Sequence, residues 1–461
     1  MKFILHVCSV FLLLLSCNSK EAKKEPPEIK IEHPTFSEHI APILFQRCAP
    51  CHRSGSAGPF SLLTYSDVRK KMKTIRQVLE DGLMPPWPAD TTYSRFRDEK
   101  IITAGEKELV LLWIQQGAPE GDSSRLPSPP EFPSLSYLGV PDYTVRMDTF
   151  LIAGNNKDHF MMLKVPYNLP ADTFVRAIEI LPGNRKLTHH INAHLVQYAS
   201  GAKKNRVGSM KPVDTEKHDK PEAYTLLSLA NDDGTYPMLT PSVSNYLPGV
   251  ISSIYPTGIG GYRVKQQGAL LLDNMHYGPS PIDTFDCTTF NFFFSPVPPA
   301  RIVKEMILGT SGNMAPVEPP LVIQPNKIDT FRIRYTLPSD LSLLTVNPHM
   351  HLIGKSFLAF AVTQEGDTIP LIRILRWDFR WQYFYTFKKM LPLKKGTTIY
   401  VEGVYDNTEN NPLNPFHPPQ VISEREGSMR TTDEMFQFII SYTTSQPGDE
   451  KVSLDISPQR R

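Results

Sequence analysis

Proline constrains this chain more than any other feature: 43 of its 461 residues are proline, spread along the length rather than gathered in one tract. A proline fixes φ, lacks an amide donor and breaks a helix interior, but is tolerated in turns, at strand ends and on sheet edges. Beyond its first quarter the chain is therefore expected to be strands and loops. The length suffices for about three domains. Lysine and arginine number 49 against 47 acidic residues. That near balance offers nothing for a nucleic-acid partner to grip.

The first quarter reads differently. Cys48-Ala-Pro-Cys51-His52 is a C-x-x-C-H motif, in which two thiols bond covalently to a haem and the adjacent histidine ligates its iron. A short helix should precede it, with Ser37 as N-cap and Ile40, Ile43 and Leu44 as its apolar face. A longer one, Ser66 to about Asp81, carries Val68, Met72, Ile75 and Leu79 and stops at Gly82. Met84 then follows in Met-Pro-Pro-Trp-Pro, suitably placed for the second axial ligand, with Met72 as its nearby rival. A last helix opens on the capping box Thr103-Ala-Gly-Glu106 and ends near Gly117. The layout of residues 37–122 resembles a class I cytochrome c.

Lys2 and the apolar run Phe3–Leu15 read as an export signal, too short to span a membrane comfortably. The run closes on Leu14-Leu15-Ser16-Cys17, which resembles the bacterial lipobox and implies lipidation of Cys17 after removal of the signal, residues 1–17. Residues 18–36 would form a polar tether. The protein would then be membrane-anchored in the bacterial cell envelope, facing the periplasm or the outer membrane. With Cys8 removed, Cys17 lipidated and Cys48 and Cys51 on haem, only Cys287 is left, so no intrachain disulfide is available.

A Pro/Ser-rich linker is expected over 123–145. After it come short runs rich in Val, Ile, Phe and Tyr, such as Phe174–Leu181, His194–Tyr198, Ala269–Asp273, Phe331–Leu337 and Phe357–Thr363. That is the pattern of β-sandwiches. No internal repeat and no convincing amphipathic helix stands out here. With 13 histidines, chance alone gives roughly 0.4 His-His pairs, so a single pair says little. The ordered set says more: His189-His190, Met275-His276-Tyr277, His349-Met350-His351 and Asp433-Glu434-Met435.

That order, with Pro298-Pro-Ala-Arg-Ile-Val-Lys-Glu-Met306 between its halves, resembles the copper type II, ascorbate-dependent monooxygenases, the family of peptidylglycine α-hydroxylating monooxygenase and dopamine β-hydroxylase. The resemblance covers about residues 146–445. It implies two jelly-roll sandwiches, 146–300 and 301–461, each holding one copper across a solvent-filled cleft. His189, His190 and His276 would hold the electron-transfer copper. His349, His351 and Met435 would hold the copper at which oxygen is used. Residues two apart on a strand share a face, so His349 and His351 can chelate one ion. Adjacent residues do not, so His189-His190 needs a bulge or a strand end; His194 is an extra or structural histidine. Asn347 stands where the peptidylglycine enzymes carry a substrate-gripping arginine, and Gln437 and Ile439 replace their Asn and Tyr.

The whole reads as a small all-α cytochrome c domain followed by two all-β jelly-roll domains, with one haem c and two copper ions. The resemblance implies hydroxylation of a C–H bond by O₂, with electrons arriving through the haem from a periplasmic or membrane donor. The substrate class, small molecule or peptide, stays open. Two other readings stand beside this one: a cytochrome with a non-catalytic β binding module, and a copper-storage or delivery protein.

Overall fold

The computed structural model describes residues 31–454 apart from 134–135, 200, 204–210, 241, 251, 253, 257, 313 and 426–429. The export signal, Cys17 and most of the tether lie outside the described residues. The chain is mainly β-sheet with few helices.

Helices cluster at the N-terminal end. A π-type turn, Phe36–Ile40, runs into α1 (Ala41–Arg47), followed by α2 (Tyr65–Glu80) and α3 (Ala104–Gln115). Their core is Phe36, Ile40, Leu44, Val68, Ile75, Leu79, Val110 and Trp113. The capping box at Thr103 and Glu106 forms as expected. The cap expected at Ser37 does not: Ser37 is buried in the turn, and its hydroxyl donates to the Glu120 carbonyl (3.0 Å). α2 begins at Tyr65, one residue earlier than expected, because Thr64 accepts the Asp67 amide as its cap. Gly82 ends it with φ +65°, a conformation that glycine adopts without cost.

Among the described residues the β region forms two pairs of larger antiparallel sheets and two two-stranded ribbons. In the first half, Tyr143–Arg146, Thr289–Phe294, Thr173–Leu181 and Tyr262–Val264 form one sheet. The other is ordered Val213–Asp214, His159–Asn168, Gln267–Tyr277, Thr188–Gln197 and Met238–Leu239. Tyr167 of one meets Phe292 of the other, ring centroids 5.6 Å apart. In the second half, Lys304–Gly309, Phe436–Thr444, Leu341–Met350 and Tyr385–Leu393 face Ile328–Thr336, Thr398–Asp406, Gly354–Val362 and Thr368–Ile374. Phe357 packs there against Phe436 and Phe438. In Thr398–Asp406 every second residue is buried, the mark of a strand with one face on a core. Ala269–Leu272, buried without a break, has both faces covered. One face joins the sandwich core, and Ala269 and Leu271 pack under α4 (Lys220–Leu226). That seven-residue helix carries a proline in its first turn and is too short to show a periodic face in sequence.

Two boundaries differ from expectation. The first sandwich begins at Tyr143, and the preceding segment is fastened to it rather than hanging free. Tyr137 N–H donates to Glu179 (2.6 Å), its hydroxyl accepts from Arg53 (2.7 Å), and Leu138 is buried beside Ala177 and Phe293. The segment 87–99, expected to belong to the helical unit, is built into the second sandwich. Ala89 bridges Ile374, Phe96 bridges Phe387, and Asp90 pairs with Arg373 (2.7 Å). Ala89 and Phe96 belong to the main core, not to the helical one.

Candidate metal centres

One cleft of about 1390 Å³ is lined by His190, His194, His349, Met435, Asn347, Gln437 and Gln382. It brings residues from both sandwiches together, with His190 and His194 from the first and His349 and Met435 from the second.

His189 and His190 lie in the strand Thr188–Gln197, antiparallel to the strand Gln267–Tyr277 that ends in His276. His190 is paired with His276 and Thr188 with Tyr277, so His189 is left over as a bulged residue. The bulge lets neighbouring residues turn toward the same side. Both rings lie against that of His276: His189 and His276 have centroids 4.5 Å apart, His190 and His276 5.0 Å. The Nδ1 atoms of all three are buried and lack a hydrogen-bond partner. The opposite nitrogens of two are held, His276 Nε2 by Asp158 (2.7 Å) and His190 Nε2 by Asn274 Oδ1 (3.1 Å). A carboxylate or amide oxygen accepts a hydrogen bond from Nε2–H and leaves the Nδ1 lone pair free for a metal. Phe160 stacks on His276 at 4.2 Å, and a Cβ at Gly278 would stand 2.6 Å from His189 Nε2. Ligating atoms of Asp158, His189 and His276 also lie within 4.8 Å of one another. Since Asp158 is engaged with His276, it serves better as outer partner than as ligand.

His349 is the penultimate residue of the strand Leu341–Met350 and His351 follows it. Met350 pairs with Phe436 and His349 with Gln437, which places Met435 opposite His351 at the ladder's end. The two rings are 5.1 Å apart, nearly perpendicular. Here the engaged nitrogens are Nδ1: His349 with Gln382 Oε1 (2.6 Å), His351 with the Asp433 carbonyl (2.7 Å). Both leave Nε2 as the nitrogen available to an ion, and Met435 lines the same cleft as His349. Two imidazoles and a thioether make a donor set soft enough to favour Cu(I). The loop is pinned by Glu434, which accepts the amides of His351 (2.8 Å) and Ile353 (2.9 Å).

His194 joins neither set. Its Nδ1 is 3.0 Å from the Thr240 carbonyl and its Nε2 3.0 Å from Asp273, so both nitrogens are occupied. Asn347 donates to the Tyr383 carbonyl (2.8 Å) and Gln437 to Thr310 (2.7 Å). Cys287, half-buried, accepts from Arg146 (2.6 Å).

In the helical segment, Cys48 caps the C-terminal end of α1 and Cys51 and His52 follow in the next turn. Both thiols are free. His52 Nδ1 is 3.2 Å from the Phe60 carbonyl, leaving Nε2 as its outward nitrogen. Met72 packs against the helical core, whereas Met84, in the loop after α2, does not. Cys48, Cys51 and His52 thus stand together just after α1, and Met84 lies in the loop after α2.

No protein-family model matches the chain, and no curated protein does. Among solved structures, the major capsid protein P2 of bacteriophage PM2 is 9% identical, over 66% of this chain and 98% of that one, with a TM-score of 0.25. The infectious bursal disease virus VP2 subviral particle is 11% identical over 68% and 76%, TM-score 0.16. Allantoicase is 9% identical over 56% and 81%, TM-score 0.15. Likenesses this slight carry no argument about the chain.

Sequence reasoning missed Asp158, Asn274 and Gln382, which hold the histidine rings, and named Glu434 only as the neighbour of Met435. Asn274 had a signal, since it shares a strand face with His276. Asp158 and Gln382 come from distant segments and had none.

Burial sets the charge state of these groups. It holds His349 down to about 3 and His189 to about 4, and pushes Glu434 up to about 8 and Glu305 to about 7. His190 and His351 are lowered as well. The lowered histidines bind fewer protons folded than unfolded below 6.5, so their contribution grows as pH rises to that value. The two raised acids bind more protons folded than unfolded from 4.5 upward, so theirs declines from there to about 8, outweighed below 6.5 by the four lowered histidines and unopposed by them above it. Metal-free protein should therefore show its highest melting temperature near pH 6.5, and Glu434→Gln should flatten the decline above it. A melting temperature that rises steadily to pH 8 would contradict these assignments.

Proposed function

We propose that this chain is a haem-bearing, copper-dependent monooxygenase that hydroxylates a C–H bond, anchored by lipid in the bacterial cell envelope. The observation that carries this reading is three neighbouring histidines, His189, His190 and His276, whose Nδ1 atoms are all buried without a hydrogen-bond partner while the Nε2 atoms of His190 and His276 are already held. Three such orphans in one place would be costly unless an ion satisfied them. His349, His351 and Met435 supply the second set across the same cleft, and Cys48, Cys51, His52 and Met84 the haem.

When bound, copper at the methionine site supplies oxygen activation, and the other copper and the haem supply electrons one at a time. Overall, R–H, O₂, two electrons and two protons give R–OH and water. The chain's own part is to hold ligands and shape the cleft. Gln382 and the Asp433 carbonyl fix the rings of His349 and His351 with Nε2 forward. Glu434 keeps the His351 loop from opening. Asn347 and Gln437 give their amide donors to backbone carbonyls, so neither replaces the arginine that would grip a peptide carboxylate. Tyr224, Tyr236, Tyr246 and Phe384 line the cleft with aromatic surface, which suits a small molecule with an apolar body.

The test is isotopic. Copper-loaded protein with reduced haem, given ¹⁸O₂, a one-electron donor and a panel of aromatic and aliphatic small molecules, should place one labelled oxygen in a hydroxylated product. Oxygen uptake no faster than in the copper-free protein, across the panel, would refute the reading.

A further inference from the structure

The haem segment touches both sandwiches, and the two contacts lead to different metal sites. On one side Cys51 Sγ lies against Gly249, where an added Cβ would be 2.7 Å away, and Lys100 donates to the Gly249 carbonyl (2.5 Å). From Gly249 the chain runs back through Pro248 and Leu247 to Tyr246, which pairs with Ile191, the neighbour of His190. That path is mostly backbone.

The other contact runs through side chains. Two residues after Met84, the Pro86 carbonyl accepts a hydrogen bond from the Tyr383 hydroxyl (2.8 Å). Trp87 packs its ring on Tyr383 (5.3 Å) and Tyr385 (5.2 Å). Gln382, adjacent to Tyr383, is bonded to His349 Nδ1 at 2.6 Å. Two hydrogen bonds and one step along the chain thus join the methionine loop to His349. The joint is rigid: Asn347 donates to the Tyr383 carbonyl, Gln382 Nε2 to the Phe379 carbonyl, and residues 89–97 are bridged to the sandwich. Trp87 Nε1, buried here, has no hydrogen-bond partner, so its neighbours receive the indole as an aromatic surface.

Building on the function proposed above, we propose that Trp87, Tyr383 and Gln382 form the route by which an electron from the haem enters the His349–His351–Met435 site directly, without passing through the three-histidine site. In that step the haem iron goes from ferrous to ferric and the copper from cupric to cuprous. No bond forms or breaks, and an external one-electron donor re-reduces the haem. The copper held by His189, His190 and His276 is then free to deliver the second electron on its own schedule.

The test uses the haem- and copper-loaded protein, oxidised and anaerobic. A flash-generated one-electron reductant reduces the haem, and the decay of ferrous absorbance is followed with copper content and haem spectrum as controls. Tyr383→Phe keeps the ring and loses the bond to Pro86. It should slow the decay several-fold, with copper content unchanged. Lys100→Ala, on the other contact, should leave the decay as it was. His349→Ala should abolish the fast phase. An unchanged decay in Tyr383→Phe, or a slowed one in Lys100→Ala alone, would overturn the route while leaving the monooxygenase reading intact. A native protein without copper would overturn both.

Discussion

Alanine at His349 is expected to remove one copper and all hydroxylation while leaving the other copper in place. His276→Ala should remove the other ion and leave the first. The two sets share a cleft but no ligand, and each rests on its own outer partners, Gln382 and the Asp433 carbonyl on one side, Asp158 and Asn274 on the other. Loss of an outer partner alone costs about 10–100-fold in metal affinity or activity. Gln382→Ala and Asp158→Ala should fall in that range, and loss of a ligand should exceed it. Isothermal titration with Cu(I) under an anaerobic atmosphere reads all four variants. If His349→Ala emptied both sites, the two sets would not be independent, and the division of roles across the cleft would fail.

Arg301→Ala should be the most damaging single change away from the metal sites. Arg301 lies where the two sandwiches join, and its carbonyl accepts the Gly260 amide (2.7 Å). Its guanidinium makes a bidentate pair with Asp449 (2.7 and 2.8 Å) and donates to the Thr444 carbonyl (2.9 Å). Both side chains are buried. Ser342 adds a third donor to Asp449 at 2.7 Å. Removing one member of a buried pair leaves the other charge without a partner, a loss of about 3–5 kcal/mol. Chemical denaturation of the metal-free protein measures it. Arg301→Lys should recover little, since an ammonium cannot reproduce the two-pronged bond. Although burial works in the other direction, the bonds from Arg301 and Ser342 hold Asp449 down to about 2. The pair therefore contributes fully above the ordinary aspartate range and is lost as pH falls through about 2. A loss below 1 kcal/mol, the ordinary worth of an exposed pair, would show that the joint does not depend on it.

Much of this was legible before any coordinates. Prolines and short β-branched runs gave the β class because their meaning is local. The capping box at Thr103 and the stop at Gly82 formed for the same reason. The requirement for a bulge at His189-His190 followed from strand geometry, and the register places it there. What stayed hidden was non-local. Asp158 meets His276 across 118 residues, and Gln382 meets His349 from a neighbouring strand connection. The docking of residues 87–99 was misread because Ala89 and Phe96 follow a helical segment in sequence but belong to another core. Ser37 was misplaced because its partner, the Glu120 carbonyl, is 83 residues away.

The most direct test is the copper and haem content of the purified full-length protein after reconstitution with Cu(II). Two coppers per haem are predicted, with an EPR signal from nitrogen-rich tetragonal sites. A protein that carries haem but retains no copper would contradict the account and leave an anchored cytochrome joined to a β-sandwich module of another purpose.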